Sequence, residues 1–194
     1  MHLTPKIQKA IIEAAILHKD QVRKETPIPF IVHPYSVATI LSNYTDDEDI
    51  IIAGLLHDVL EDVPNYDAKK MEKDFGEKVY KIVKGVSEDK DPNEKKKKTI
   101  EEWKRCKQGY IDNLRDDSFE VLMVSCADKI HNLLSMQEAY KEQGEDLWKR
   151  FSGPKEEQMW FYREVLIILK KRLKNPIVEE LERTYKETEQ IIKL

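Results

Sequence analysis

The segment from Ile50 to Asp62, IIIAGLLHDVLED, limits what this chain can fold into more than any other. It is apolar on almost every side of a helix, and a helix of that kind belongs at the centre of a fold, covered all round. Its second half nevertheless carries His57, Asp58, Glu61 and Asp62. Residues four apart share a helical face, so His57 stacks with Glu61 and Asp58 with Asp62. Burying charge without a partner costs several kcal/mol or more. Two explanations follow. Either the helix end reaches solvent with its acids exposed, against a helix dipole that opposes them by tenths of a kcal/mol to about 1; or the group holds a divalent cation, which imidazole and carboxylate both suit.

The rest of the chain predicts helices around this one. Of 194 residues only 6 are Gly and 8 Pro, too few for a turn-rich β fold. Thr4-Pro5 has the form of an N-cap followed by Pro at the first helical position, opening a helix to about Gln21. Pro27, Pro29 and Pro34 make residues 23–34 an extended loop, and Pro34 opens a second helix. Thr45 and Glu48 have capping-box spacing, which makes Thr45 the N-cap of a central helix running unbroken to Asp62, ended by Pro64. Further helices are expected at 67–75, 77–86, 100–114, 119–136, 155–173 and 178–192, with a polar loop over 87–98. Together these make one all-α domain over residues 1–194, with about eight to ten helices and strands absent or trivial.

Composition excludes several classes of function. The formal charge of -4 gives no overall pull towards nucleic acid or an anionic membrane. No stretch nears the roughly 18 apolar residues of a membrane span. The amphipathic N-terminal segment lacks the apolar run of a signal peptide. Cys106 and Cys126 show no metal-site spacing and suit a reducing cytosol, so a cytoplasmic location is expected.

Two distant segments bear on the cation. In FIVHP, His33 sits directly before Pro34, at the N-cap or just outside the second helix. In VLMVSCADKIHNL, Asp128 interrupts an apolar helix, where it requires a partner: an ion, or a basic residue on another helix. In chain order the four residues read His33, His57-Asp58, Asp128. This ordered pattern resembles the HD-domain superfamily of metal-dependent phosphohydrolases. The likeness extends further. AAILHKDQVRK followed by PFIVHP is similar to the opening of the RelA/SpoT-type hydrolase domains. AGLLHDVLEDV is similar to their HD signature with its following acidic pair, and ADKIHNL to the segment that carries their second Asp. What lies outside the likeness is too short for a synthetase domain, so the chain resembles the stand-alone small alarmone hydrolases.

The resemblance implies an HD-domain helical bundle and hydrolysis of the 3′-pyrophosphate of guanosine 3′,5′-bis(diphosphate)-type alarmones. It implies one divalent ion, Mn2+ in this family, held by His33, His57, Asp58 and Asp128. Glu61 and Asp62 would orient or deprotonate the attacking water, while Arg23, Lys24 and Asn132 would hold the nucleotide substrate. Trp160, Phe161 and Tyr162 are either core or a stacking wall. His18 is read as a core residue, and His131 as a packing or supporting one. The chain departs from the family at Ser125, where a Lys is common, and at Leu134, where an Arg is. The alternatives are an HD phosphohydrolase for another nucleotide or phosphoester, and an HD module that binds nucleotide without chemistry. Oligomeric state is not readable.

Overall fold

Thr4 caps the first helix as its sequence predicts: its hydroxyl accepts the Ile7 N–H, and α1 runs Pro5–Leu17. The computed structural model describes residues 2–24, 26–87 and 99–194. The polar loop expected over 87–98 lies outside the described residues apart from Ser87, which caps a helix end.

After α1, the Pro-rich stretch forms a pinned loop. An isolated antiparallel bridge joins Val22 to Pro29, with Arg23 N–H donating to the Ile28 carbonyl (2.8 Å) and Phe30 N–H to the Gln21 carbonyl (2.9 Å). Then α2 runs Val32–Leu41. It begins two residues before Pro34, so His33 lies inside its first turn and not at its cap. The reason is that a proline is tolerated throughout a first turn, where its missing N–H has no helical acceptor in any case. The turn at Pro29 and Phe30, whose carbonyls take Val32 and His33 N–H, has already set the chain into the helix.

The central helix departs from expectation twice. Its first part, α3, runs Glu48–Leu56, capped by Asp47, whose carboxylate accepts the Asp49 N–H. Thr45 accepts the Asp47 N–H instead, and the Glu48 carboxylate accepts a hydrogen bond from the Thr4 hydroxyl on α1, so it cannot complete a capping box. The helix also breaks at His57-Asp58 before a single turn, α4, Val59–Asp62. An unbroken helix would offer the Gly54 carbonyl to the Asp58 N–H; here His57 Nδ1 meets it at 2.9 Å.

The remaining helices fall close to expectation: α5 Ala68–Phe75, α6 Glu77–Val86, α7 Ile100–Asn113, α8 Phe119–Gln143, α9 Lys155–Arg172 and α10 Ile177–Ile192. Two turn residues explain themselves. Gly76 joins α5 to α6 at φ 95°, and Thr99 with Glu102 forms a full capping box on α7. α8 runs seven residues beyond its expected end. Polar Gln137 is buried there, donating to Thr188 Oγ1 of α10 at 2.9 Å, and a 3-10 segment, Gly144–Arg150, follows.

Every residue from Ile50 to Leu56 is buried, because α1, α2, α6 and α8 all pack on α3. α2 comes in close: a Cβ on Gly54 would stand 2.5 Å from Leu41 Cδ1. α10 packs along α8, adding Ile177, Leu181 and Ile192 to the same core. Among the described residues no helix is long and apolar enough to cross a membrane, and both cysteines are free thiols.

Candidate metal centre and cleft

Four side chains from three parts of the chain converge. His33 comes from the first turn of α2, His57 and Asp58 from the break between α3 and α4, and Asp128 from within α8. His33 Nε2 lies 3.1 Å from His57 Nε2, 3.5 Å from Asp58 Oδ2 and 3.1 Å from Asp128 Oδ1. His57 Nε2 lies 3.2 Å from Asp58 Oδ2 and 3.8 Å from Asp128 Oδ1. Ligands about 2.1 Å from one ion, at right angles to each other, stand roughly 3 Å apart. The ligand atoms of His33, His57 and Asp58 all lie within 4.8 Å of one another, and Asp128 Oδ1 adjoins that group 3.1 Å from His33 Nε2.

The electrostatics favour a cation between these atoms. Burial works against charge on His57, yet the Asp58 and Asp128 carboxylates overcome it and push His57 up to about 9. Burial opposes ionisation of Asp58 too, but His57 and His33 hold it well below the usual carboxylate range. Asp128 is likewise held low, against burial, by Lys129 and the same two histidines. His33 is lowered, mainly by burial. Two ionised carboxylates thus face two imidazole nitrogens whose other ring nitrogens are engaged elsewhere. That donor set, two N and two anionic O, fits a divalent Mn, Fe, Co or Zn ion.

The centre forms the floor of a cleft of about 650 Å³, its open mouth included. Glu61 and Asp62, on α4, line it with Asp58, although the break at His57-Asp58 means that they do so from a separate turn and not from one continuous helix. Behind them His18 is buried, with Nδ1 2.6 Å from Gln21 Oε1, and Gln21 Nε2 donates to the Asp62 carbonyl at 2.7 Å. His18 is therefore a core residue that braces the acidic pair through Gln21.

Arg23 lines the cleft, spread over the Phe30 ring at 5.6 Å. Its Nη2 donates to Asn132 Oδ1 at 2.9 Å, and Asn132 Nδ2 donates to Asp128 Oδ1 at 2.6 Å. Asn132 therefore links Arg23 to the Asp128 carboxylate. Lys24 is exposed and is not among the lining residues. Trp160, Phe161 and Tyr162 do not line the cleft either; Phe161 is buried in the core. The aromatic faces inside it are Phe30 and Tyr110.

Lys107 and Tyr110 of α7 and Lys129 of α8 line the cleft without having been singled out in the sequence, while Ser125, marked there as a departure from the family, lines it too. Lys129 is only 7% exposed; its Nζ sits 2.5 Å from Asp128 Oδ2 and over the Tyr110 ring at 4.4 Å. The basic partner of Asp128 is thus its own neighbour on α8, not a residue of another helix. A lysine within an apolar helix next to an aspartate was the available signal. Nothing in the sequence of α7 showed which of its charged faces looks inward.

Comparison with known proteins agrees with this geometry. Residues 10–155 match the family model described as HD domain. The guanosine-3′,5′-bis(diphosphate) 3′-pyrophosphohydrolase of Drosophila melanogaster is 32% identical over 135 residues, 68% of this chain and 70% of that protein. The enzyme of the same name from Borreliella burgdorferi is 33% identical over 130 residues, 67% of this chain and 19% of its own length. This chain spans 15 to 19% of such long relatives. A solved structure described as a metazoan ortholog of SpoT that hydrolyses ppGpp superposes with a TM-score of 0.75 at 25% identity, covering 96% of this chain and 97% of that one. With the family model spanning residues 10–155, most of its length, the chain belongs to the HD-domain family.

Proposed function

We propose that this chain is a metal-dependent hydrolase that removes the 3′-pyrophosphate from guanosine 3′,5′-bis(diphosphate)-type alarmones, acting as one domain over residues 1–194. The observation that carries it is the meeting of His33, His57, Asp58 and Asp128 at the floor of a cleft lined by Glu61 and Asp62 and by cationic Arg23, Lys107 and Lys129. Likeness to pyrophosphohydrolases over two thirds of a small relative supports the substrate.

His33, His57, Asp58 and Asp128 would hold a divalent ion, Mn2+ by family resemblance, which would supply Lewis-acid polarisation of a phosphoryl oxygen and of water. Glu61 and Asp62 orient that water and accept its proton. Its oxygen bonds to the phosphorus carried by the 3′ oxygen, and the bond between that phosphorus and the 3′ oxygen breaks. The nucleoside keeps its 3′ oxygen as a hydroxyl after taking a proton, and pyrophosphate leaves. Arg23 holds phosphate oxygens bidentately, in a position set by Asn132 and the Phe30 face. Lys24, exposed and next to Arg23 in the chain, contributes a point charge. Two free thiols suit a reducing compartment, which fits the cytoplasm.

The test is incubation of purified, Mn2+-loaded protein with guanosine 3′,5′-bis(diphosphate), following GDP and pyrophosphate. Stoichiometric release that stops on chelation is expected. No release, with turnover of another nucleotide, would replace the substrate and keep the reaction class. One observation favours that second reading: the cleft wall at position 125 carries a small hydroxyl and no charge.

A further inference from the structure

The two metal-binding histidines are held in different ways. His57 has the common arrangement: its Nδ1 lies 2.9 Å from the Gly54 carbonyl, an atom that can only accept. Neutral His57 therefore keeps its proton on Nδ1 and offers the Nε2 lone pair to an ion. Among the described residues, no hydrogen bond joins Nδ1 of His33 to a carbonyl or carboxylate. That nitrogen lies 2.7 Å from Nδ1 of His131, with the rings 4.8 Å apart. Two ring nitrogens at that distance share one proton, and which ring owns it decides what the other face of His33 can do.

If His131 donates, neutral His33 carries its proton on Nε2, the atom that lies 3.1 Å from both His57 Nε2 and Asp128 Oδ1. That proton would occupy the place of an ion. If His33 donates, its Nε2 presents a lone pair to the centre. His131 must then be neutral, protonated on Nε2, and an acceptor at Nδ1. The helix makes this arrangement rigid: His131 lies three residues after Asp128 on α8, so the two share a face. One helix thus supplies a carboxylate to the centre and the support for a histidine from α2. His131 is not among the residues that line the cleft, so substrate contact does not explain its place.

We infer that His131 is a positioning residue for the metal centre: its Nδ1 accepts the His33 Nδ1 proton and so fixes His33 in the tautomer that binds the ion. This rests on the metal ligands proposed above, and it does not depend on which phosphoester the protein cleaves. Partners of this kind typically contribute about 10- to 100-fold in metal affinity.

The experiment uses the full chain and the metal alone. Mn2+ affinity is measured by titration of chelator-treated protein for the wild type, His131→Phe, which removes the acceptor, and His131→Asn, whose side-chain oxygen reaches the Nδ1 position. Affinity is expected to fall about 10- to 100-fold in the Phe variant and to stay within about threefold in the Asn variant. Full affinity in His131→Phe, or equal loss in both variants, would overturn the inference. The wild type gives a second reading that needs no variant. In the Zn2+-loaded protein, long-range proton–nitrogen spectra of the imidazoles should show His33 protonated on Nδ1 and His131 on Nε2. A proton on His131 Nδ1 overturns the inference. Absence of metal binding by the wild type would instead bring down the metal-dependent reading itself. Failure to turn over the alarmone, with metal bound and the tautomers as expected, would remove only the substrate.

Discussion

Glu61 and Asp62 lie on the turn after His57-Asp58 and line the same cleft, outside the group of His33, His57 and Asp58. The double variant Glu61→Gln, Asp62→Asn is expected to keep Mn2+ affinity within a few-fold and to lower kcat by about 100- to 10,000-fold. Unchanged turnover would remove both from the mechanism. Lys129 allows a second prediction. Removing one partner of a buried ion pair costs about 3–5 kcal/mol, so Lys129→Met should lower stability by that order in chelator, read from urea unfolding. Mn2+ should restore part of the loss, since an ion on Asp128 replaces the missing positive charge; full stability in chelator would show that the pair does not matter. These residues also mark how far the sequence could be read. The grouping of His33, His57, Asp58 and Asp128 was legible from their order along the chain, which resembles the HD pattern, and for Asp128 also from an apolar helix that leaves a carboxylate in need of a partner. Lys107 and Tyr110 were not, because a charged helix such as α7 repeats its polar residues on every side.

At the level of elements, Gly54 permits the close approach of α3 to α2 that brings His57 to His33. Gly54→Ala would place a methyl 2.5 Å from Leu41 Cδ1 in a fully buried setting. We expect a loss of about 1–3 kcal/mol from overpacking. Metal affinity should weaken with it, because the two ligands ride on the two helices being forced apart. A variant with normal melting and normal Mn2+ binding would contradict this. α1 and α5 are tied by a charged cluster in which Lys9 and Lys70 both reach Asp74, and Lys70 also reaches Glu13. The hydrogen bonds from Lys70 and Lys9 lower Asp74 to about 2, below its unfolded value of 3.8. A depressed carboxylate stabilises the fold above its unfolded pKa, and that contribution is lost as pH falls through the folded one. The melting-temperature gap between wild type and Asp74→Asn should therefore be full above pH 4 and close towards pH 2; a gap independent of pH would sink the assignment. Helix spans were largely legible from capping residues and period. The errors lay where tertiary contacts overrode local signals: Glu48 was drawn to Thr4, and α8 was prolonged by the bond from Gln137 to α10.

For the whole molecule, the HD match ends at residue 155, just after α9 begins, yet α9 and α10 carry a large part of the core. Val165, Leu169, Ile177, Leu181 and Ile192 are all buried, and Cys126, two residues before Asp128, bonds to the Ile177 carbonyl through Sγ. A chain cut after residue 154 is expected to lose cooperative melting and Mn2+ binding together. Retention of both would show that the last two helices are dispensable. The step at His57-Asp58 has a consequence for the lengths the chain can tolerate. Each residue added to a helix turns everything after it by about 100°. One residue inserted within α3 would swing the ligand pair, the acidic pair and α4 away from His33 and Asp128 in a single move. The same insertion in the segment between α8 and α9 would leave the centre untouched. Natural variation in the length of such chains should therefore collect after Gln143 and avoid the nine residues from Glu48 to Leu56.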